Sequence, residues 1–158
     1  MSNEIERKFI VKDLPDIVKS AINNARSKKI IQNYLVIGKE EIRIRKIEYG
    51  NFSDYYLTVK KGSGLVREEI ELEIMQETYN QLYNHSKIPI IKRRNQIVFD
   101  NKILEIDFFE SISLTMIEIE FNSLEEAEKY KLPNWIGEEV TNDKRFKNQN
   151  LWKMLNNK

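Results

Sequence analysis

The chain has 158 residues, of which 41% are hydrophobic and 32% charged, enough apolar content for one packed domain over residues 1–158 and too much for a disordered chain. Lys and Arg number 26 and Asp and Glu 25, so there is no broad basic field for nucleic acid and no polybasic membrane anchor. With no cysteine and a single histidine, His85, disulfides, thiolate nucleophiles and His-rich zinc sites are excluded. No signal-peptide apolar run follows Met1 and no stretch approaches transmembrane length, so a soluble, cytoplasmic protein is expected.

In chain order, EIERKFIV (Glu4 to Val11) alternates polar and apolar residues, as a half-buried strand does. LPDIVKSAINNARSK (Leu14 to Lys28) has helical spacing at Ile17, Val18, Ala21, Ile22 and Ala25. Four alternating segments follow: Ile30 to Val36, Glu40 to Tyr49, Tyr55 to Gly62 and Arg67 to Ile74. Met75 to Lys87 reads as a second, shorter helix. Three more strands are predicted over Ile90 to Phe99, Lys102 to Glu110 and Leu114 to Phe121. Ser123 with Glu126 forms a capping box for a helix to Leu132. Asn142 is placed to cap a last helix whose apolar side is Phe146, Leu151, Trp152 and Leu155. Short loops at Gly50–Asn51, Gly62–Ser63–Gly64 and Asp100–Asn101 suit antiparallel hairpins.

Successive side chains of a strand point to opposite faces, so each strand divides by parity. One face carries Glu4, Glu6 and Lys8; Arg43 and Arg45; Thr58 and Lys60; Arg67, Glu69, Glu71 and Glu73; Lys92 and Arg94; Glu105 and Asp107; Glu118 and Glu120. The other carries Ile, Leu, Val and Phe almost throughout. The strand from Ile30 is milder, with Gln32 and Tyr34 on its polar side. An antiparallel sheet commonly turns one polar face to water. Here, however, the polar face has almost no Ser, Asn or Gln. Its charges come in runs of one sign, basic on the third, fourth and sixth strands and acidic on the fifth, seventh and eighth. Eight strands suffice to close a barrel. The predicted fold is therefore mainly β (α+β): an eight-stranded antiparallel closed barrel, a tunnel with a charged interior and helices packed outside. Such a lining is costly unless its charges are paired or bind something. A polyanion carrying divalent cations would satisfy both signs. Carboxylates take magnesium or manganese through oxygen, and arginine and lysine take phosphate oxygens.

The ordered set of motifs resembles the CYTH domains, or triphosphate tunnel metalloenzymes, over essentially the whole chain. EIERK at Glu4 to Lys8 matches the family's ExExK signature, and QNYL at Gln32 resembles its QGYL element with Asn33 in place of glycine. IRIR supplies Arg43 and Arg45, LTVK ends at Lys60, and IKRR supplies Lys92 and Arg94. LEID supplies Glu105 and Asp107 and IEIEF supplies Glu118 and Glu120. GEEVTNDKRFKN (Gly137 to Asn148) resembles the C-terminal signature of the short bacterial inorganic triphosphatases. The resemblance implies metal-dependent hydrolysis of inorganic triphosphate. Glu4, Glu6, Glu118 and Glu120 would hold Mg2+ or Mn2+, Asp107 a metal or its water, and Glu69 and Glu71 a second metal. Lys8, Arg43, Arg45, Lys60, Lys92 and Arg94 would grip phosphate oxygens. The catalytic set is Glu4, Glu6, Lys8, Lys92 and Asp107.

Other residues have plainer readings. Arg7 and Arg93 lie off the charged face. Glu73 ends its strand, His85 is expected exposed in a polar helix, and Trp135 and Trp152 are expected to pack. Lys144 and Arg145 stand either at an exposed helix start or at a tunnel mouth. The rival functions are an adenylate cyclase of the class IV type and a thiamine triphosphatase, for which Tyr34 and Tyr56 are candidate walls. A non-catalytic polyphosphate-binding module is the rival from another class, although pure anion binding has no use for so many acids. A closed barrel has no free edge to pair, so the chain is expected to be a monomer or a homodimer formed through helices or loops.

Overall fold

The computed structural model describes residues 2–157. Eight strands close into one antiparallel barrel: β1 (Ser2–Ile10), β2 (Ser27–Ile37), β3 (Glu40–Tyr49), β4 (Phe52–Lys61), β5 (Val66–Glu73), β6 (Ile90–Phe99), β7 (Lys102–Phe109) and β8 (Thr115–Glu120). Their order around the barrel is β1-β5-β4-β3-β2-β6-β7-β8. Neighbours in sequence pair through hairpins, as their short loops predict. Asp100 and Asn101 between β6 and β7 both have positive φ, 49° and 57°, the two left-handed positions that a two-residue hairpin turn matched to strand twist requires. Two helices instead carry the chain between strands that are not neighbours in the barrel. Helix α1 (Asp16–Asn24) connects β1 to β2 and α2 (Gln76–Leu82) connects β5 to β6.

The larger hydrophobic cluster lies outside the barrel wall. Outward residues of β1, β7 and β8, among them Phe9, Leu104, Ile106, Ile117 and Ile119, are buried against Val18 and Ile22 of α1 and Ala127 of α3 (Leu124–Lys129). A second cluster fills part of one end of the barrel: Tyr34, Ile90, Phe109 and Met116, on the inward parity of Arg43, Lys92 and Glu118, pack with Leu151, Trp152 and Leu155 of α4 (Asn148–Asn156). Removing a methyl-rich side chain such as Leu104, 0% exposed, is expected to cost about 2–5 kcal/mol. The helices do not cover the whole wall. Outside β5, Ile70 and Leu72 are 38% and 54% exposed, so the apolar face predicted as core is open there.

A segment after α3 clips onto β1. Val140 N–H donates to Lys8 C=O at 2.7 Å and Ile10 N–H to Glu138 C=O at 2.9 Å. Lys8 N–H donates to Thr141 Oγ1 at 3.0 Å. Gly137 is required there: a Cβ would stand 2.4 Å from Ile10 C=O, inside any real contact distance. Thus the GEEVT segment finishes the part of β1 that β5 is too short to pair.

Several helix limits differ from the sequence reading. The first helix ends at Asn24, not Lys28, because Ser27 and Lys28 pair with Asn95 and Arg94 of β6; distant strand pairing overrides local helical spacing. The second ends at Leu82. Beyond it, His85 is exposed in a turn rather than a helix, edge-on to Tyr83. The Ser123 cap is formed, accepting from Glu126 N–H at 3.1 Å, while Glu126 accepts from Asn122 N–H. Asn142 caps nothing. Asp143 instead caps a single 3-10 turn, Lys144–Phe146, and α4 begins after Lys147. Among the described residues no helix is long and apolar enough to cross a membrane.

Candidate active site

The inward side chains line a cavity of about 710 Å3 that runs through the barrel. Twelve of the thirteen residues singled out from the sequence face it: Glu4, Glu6, Lys8, Arg43, Arg45, Lys60, Glu69, Glu71, Lys92, Arg94, Glu118 and Glu120. The thirteenth, Asp107, lies behind Lys92 and Arg94, 1% exposed, and contributes its charge through them. The alternation in sequence creates this arrangement. Closure of the sheet puts one parity inside, and antiparallel register sets strands of opposite sign side by side. Lys60 stands opposite Glu69, Arg94 opposite Asp107 and Lys8 opposite Glu118.

Most of the cations are already engaged. Lys60 Nζ is 2.7 Å from Glu4 and 2.9 Å from Glu69. Lys8 is 3.1 Å from Glu118. Arg94 is the hub: its guanidinium donates to Asp107 at 2.6 and 2.7 Å, to Glu118 at 3.0 Å, and to Glu105. Lys92 completes it, 2.5 Å from Asp107. Burial alone would raise the carboxyls of Glu118 and Asp107. Lys8 and Arg94 outweigh it for Glu118 and hold that group well below the usual carboxylate range. Arg94 and Lys92 do the same for Asp107. Burial pushes the Lys92 ammonium down to about 8 in spite of Asp107, with Arg94 adding to the push.

Arg43 is different. It is 6% exposed, and among the described residues no carboxylate lies within ion-pair distance of it. Its Nε is buried without a hydrogen-bond partner, as are those of Arg45 and Arg67. Arg45 holds only Glu71 among the acids. Burial is outweighed by Tyr34, Glu41 and Glu69, which keep the Arg43 guanidinium charged, whereas burial and the neighbouring Arg43 lower that of Arg45. A buried N–H without an acceptor is costly, and the oxygens of a phosphate chain are the acceptors that both Nε groups lack.

The acids show the converse at one place. Glu6 and Glu120 are partners across β1 and β8. Burial, then Glu118, raises the Glu6 carboxyl above the usual range. Burial, then Glu4 and Glu105, raises Glu120. Among the described residues no three acids already converge as ligands, because Glu4, Glu69 and Glu118 are turned onto lysine and arginine. The donor set nevertheless fits a hard divalent cation: oxygen ligands only, in like-charge surroundings that a cation would relieve.

The residues given plain readings behave as follows. Arg7 points outward, paired with Glu139 at 2.8 Å and donating to the carbonyls of Ala127 and Tyr130 at the end of α3. Arg93 lies over the Phe108 ring. Trp135 packs edge-on against Phe99. Trp152 packs on Tyr34, and its Nε1 donates to Asn33 Oδ1 at 2.9 Å. Tyr34 is buried and Tyr56 lines the cavity. Lys144 lines one mouth of the tunnel, while Arg145 is turned onto Asp143. The sequence reading missed Glu41, Lys28 and Lys147, which all line the cavity. Glu41 shares parity with Arg43 and was legible. Lys28 was hidden in the over-long helix, and Lys147 in a helix start displaced by the 3-10 turn.

No family model matches the chain. It is, however, 33% identical over 152 residues to an inorganic triphosphatase of Nitrosomonas europaea, covering 94% of this chain and 95% of the relative. It is 38% identical over 160 residues to an inorganic triphosphatase of Acetivibrio thermocellus, covering 97% and 95%. The crystal structure of the inorganic triphosphatase NE1496 superposes with a TM-score of 0.65 at 30% identity, over 96% of this chain and 95% of that one. The PH1819 protein of Pyrococcus horikoshii, 17% identical with a TM-score of 0.59 over 80% of this chain and 82% of its own, shares the fold. With relatives this similar over nearly their whole length, the chain belongs to the family of these inorganic triphosphatases, the CYTH or triphosphate tunnel metalloenzyme family whose motifs it carries.

Proposed function

We propose that the protein hydrolyses inorganic triphosphate to pyrophosphate and phosphate inside the barrel, with Mg2+ or Mn2+. The observation that carries this reading is the pair of inward guanidiniums, Arg43 and Arg45, each with a buried N–H that lacks an acceptor, facing carboxylates across a closed, charged tunnel. The likeness to named inorganic triphosphatases supports it. A cytoplasmic setting, in keeping with a cysteine-free chain, belongs to the same proposal.

In this mechanism Arg43 and Arg45 bind the phosphate chain, and Lys8, Lys60 and Lys92 complete the grip from the opposite walls. Lys60 and Lys8 are shared with carboxylates, so they link the anion to the acidic side of the tunnel. Asp107, reached only through Lys92 and Arg94, holds those two cations in place. Glu4, Glu6, Glu118 and Glu120 would hold one cation, and Glu69 and Glu71 would hold a second. The bound ion would neutralise phosphate charge and lower the pKa of a water. In the hydrolysis a water's oxygen forms a bond to a terminal phosphorus and gives up a proton to solvent, the bridging P–O bond in line with it breaks, and pyrophosphate leaves with the bond's electrons. Catalysis of this kind is mostly positioning and charge stabilisation.

The test is phosphate release from inorganic triphosphate, ATP and thiamine triphosphate side by side, with each metal. Tyr49 and Tyr56 at one mouth are the reason for including the two organic substrates. Turnover of inorganic triphosphate well above the others, abolished by chelation and by Glu6→Gln with the fold intact, is expected. Cyclic AMP and pyrophosphate from ATP would move the protein to the cyclases. Tight triphosphate binding with no turnover would leave an anion-binding module.

A further inference from the structure

The two ends of the tunnel differ in charge. At one end, between the β2–β3 and β4–β5 hairpins, a second cavity of about 360 Å3 continues the tunnel and shares Glu41, Lys60, Arg67 and Lys147 with it. Lys39 and Lys144 add two more ammonium groups there. Among the described residues, Glu41 is the only acid in this rim, and Arg67 already holds it at 2.9 Å. Among the described residues, Lys39, Lys144 and Lys147 have no carboxylate within ion-pair distance. The other end lies by the β3–β4 and β6–β7 hairpins. Its acids are Glu71, Glu105 and Glu120, and its aromatic residues are Tyr49 and Tyr56. Of its lysines, Lys102 is engaged by Glu126.

We propose that the basic end is an outer binding site for phosphate-type anions and the port by which the triphosphate enters and its phosphate products leave. Lys39 and Lys144, both exposed, collect the anion. Lys147, half-buried at the start of α4, hands it to Arg67 and Lys60 in the wall. The uneven rim makes a potential of one sign over a narrow opening, and low-dielectric walls focus such a field on an approaching ion. Burial and the neighbouring Arg67 lower the Lys147 ammonium, as expected of cations gathered without a counter-charge. The acidic end offers an anion no such path, but it is a suitable approach for a divalent cation. The port assignment rests on the proposed triphosphatase activity; the anion site at the rim does not.

The test uses the full chain and the double variant Lys144→Ala/Lys147→Ala, with Lys28→Ala at the opposite end as the counterpart. Titration of inorganic pyrophosphate without metal is expected to show about a tenfold weaker Kd in the double variant and little change in Lys28→Ala. For triphosphate hydrolysis, kcat/KM is expected to fall about tenfold, with kcat nearly unchanged and a shallower dependence of log kcat/KM on log salt. Unchanged pyrophosphate affinity and an unchanged salt slope in the double variant would overturn the proposal. So would a larger loss in Lys28→Ala, which would put the port at the acidic end. A wild-type protein that weakly hydrolyses triphosphate, yet loses pyrophosphate affinity in the double variant, would fail the functional reading while keeping the anion site.

Discussion

Arg94 and Arg43 both point inward, from β6 and β3 on either side of β2, and both lie in motifs that resemble phosphate-binding elements. Their surroundings are opposite. Arg94 makes hydrogen bonds to Asp107, Glu105 and Glu118; Arg43 has no carboxylate partner among the described residues and an orphaned Nε. Of these two arginines, the one saturated by carboxylates is part of the structure and the one with an open N–H is part of the binding capacity. Inward parity alone does not distinguish the two roles.

The largest expected effect is on stability. Arg94→Ala leaves Asp107, 1% exposed, with Lys92 as its only cation and takes a partner from Glu118. Breaking a buried, hydrogen-bonded ion pair in this way costs about 3–5 kcal/mol. Urea unfolding of the metal-free protein is expected to show a loss of that size. Arg43→Ala makes the opposite pattern. Its unfolding free energy is expected to change far less than that of Arg94→Ala, because no ion pair among the described residues is broken, while kcat/KM for triphosphate falls about 10²–10³-fold. An Arg94→Ala protein of unchanged stability, or an Arg43→Ala protein of unchanged activity, would erase the division between the two arginines.

A smaller effect separates the two walls by pH. The Lys92 proton leaves at about 8 in the folded protein, because burial disfavours its charge, against 10.5 for an ordinary lysine. A base whose folded pKa is lowered costs stability while it is charged. That cost is fully present below pH 8 and fades as pH rises towards 10.5. A bound polyanion has the reverse preference and restores the proton. Triphosphate binding at pH 9 is therefore expected to take up close to one proton, and at pH 7 almost none, measured by calorimetry in buffers of different ionisation enthalpy. Lys92→Met is expected to abolish the uptake. Uptake that persists in that variant would assign the proton to another group.

How much of this was legible before the structure depends on the length scale. Strand parity was legible because a period of two is written locally. Closing the sheet then put Glu4, Arg43, Lys60 and Glu118 inside together. Which acid faces which base was not legible, since it is set by register between strands distant in sequence. Asp107 shares parity with Glu105, yet it is hidden behind Lys92 and Arg94. Lys28 was misplaced because Ala25, Arg26, Ser27 and Lys28 continue a helical pattern that β6 overrides through strand pairing. The basic end escaped notice because it is assembled from two hairpin loops and the start of α4, three places with no shared periodicity.

The smallest expected effect concerns how α4 is fixed. Asn33, where the family's element usually has glycine, turns outward from β2 and accepts from Trp152 Nε1 at 2.9 Å. Both residues are buried, Asn33 at 2% and Trp152 at 9% exposed. Trp152→Phe keeps most of the apolar contact with Tyr34 and deletes this one bond, leaving Asn33 Oδ1 unpaired. Stability is expected to fall by about 1–3 kcal/mol, the cost of an orphaned buried acceptor. The phosphate grip at Arg43 is built from β3 and should be spared. The mouth, however, is held through the first turn of α4, which carries Lys147. Pyrophosphate affinity in Trp152→Phe is therefore expected to weaken about twofold to threefold, a fraction of the loss from removing Lys144 and Lys147 themselves. A loss as large as that of Arg43→Ala would mean that α4 supports the central site and not the rim alone, and the distinction between saturated wall and free binding capacity would have to extend to the helix.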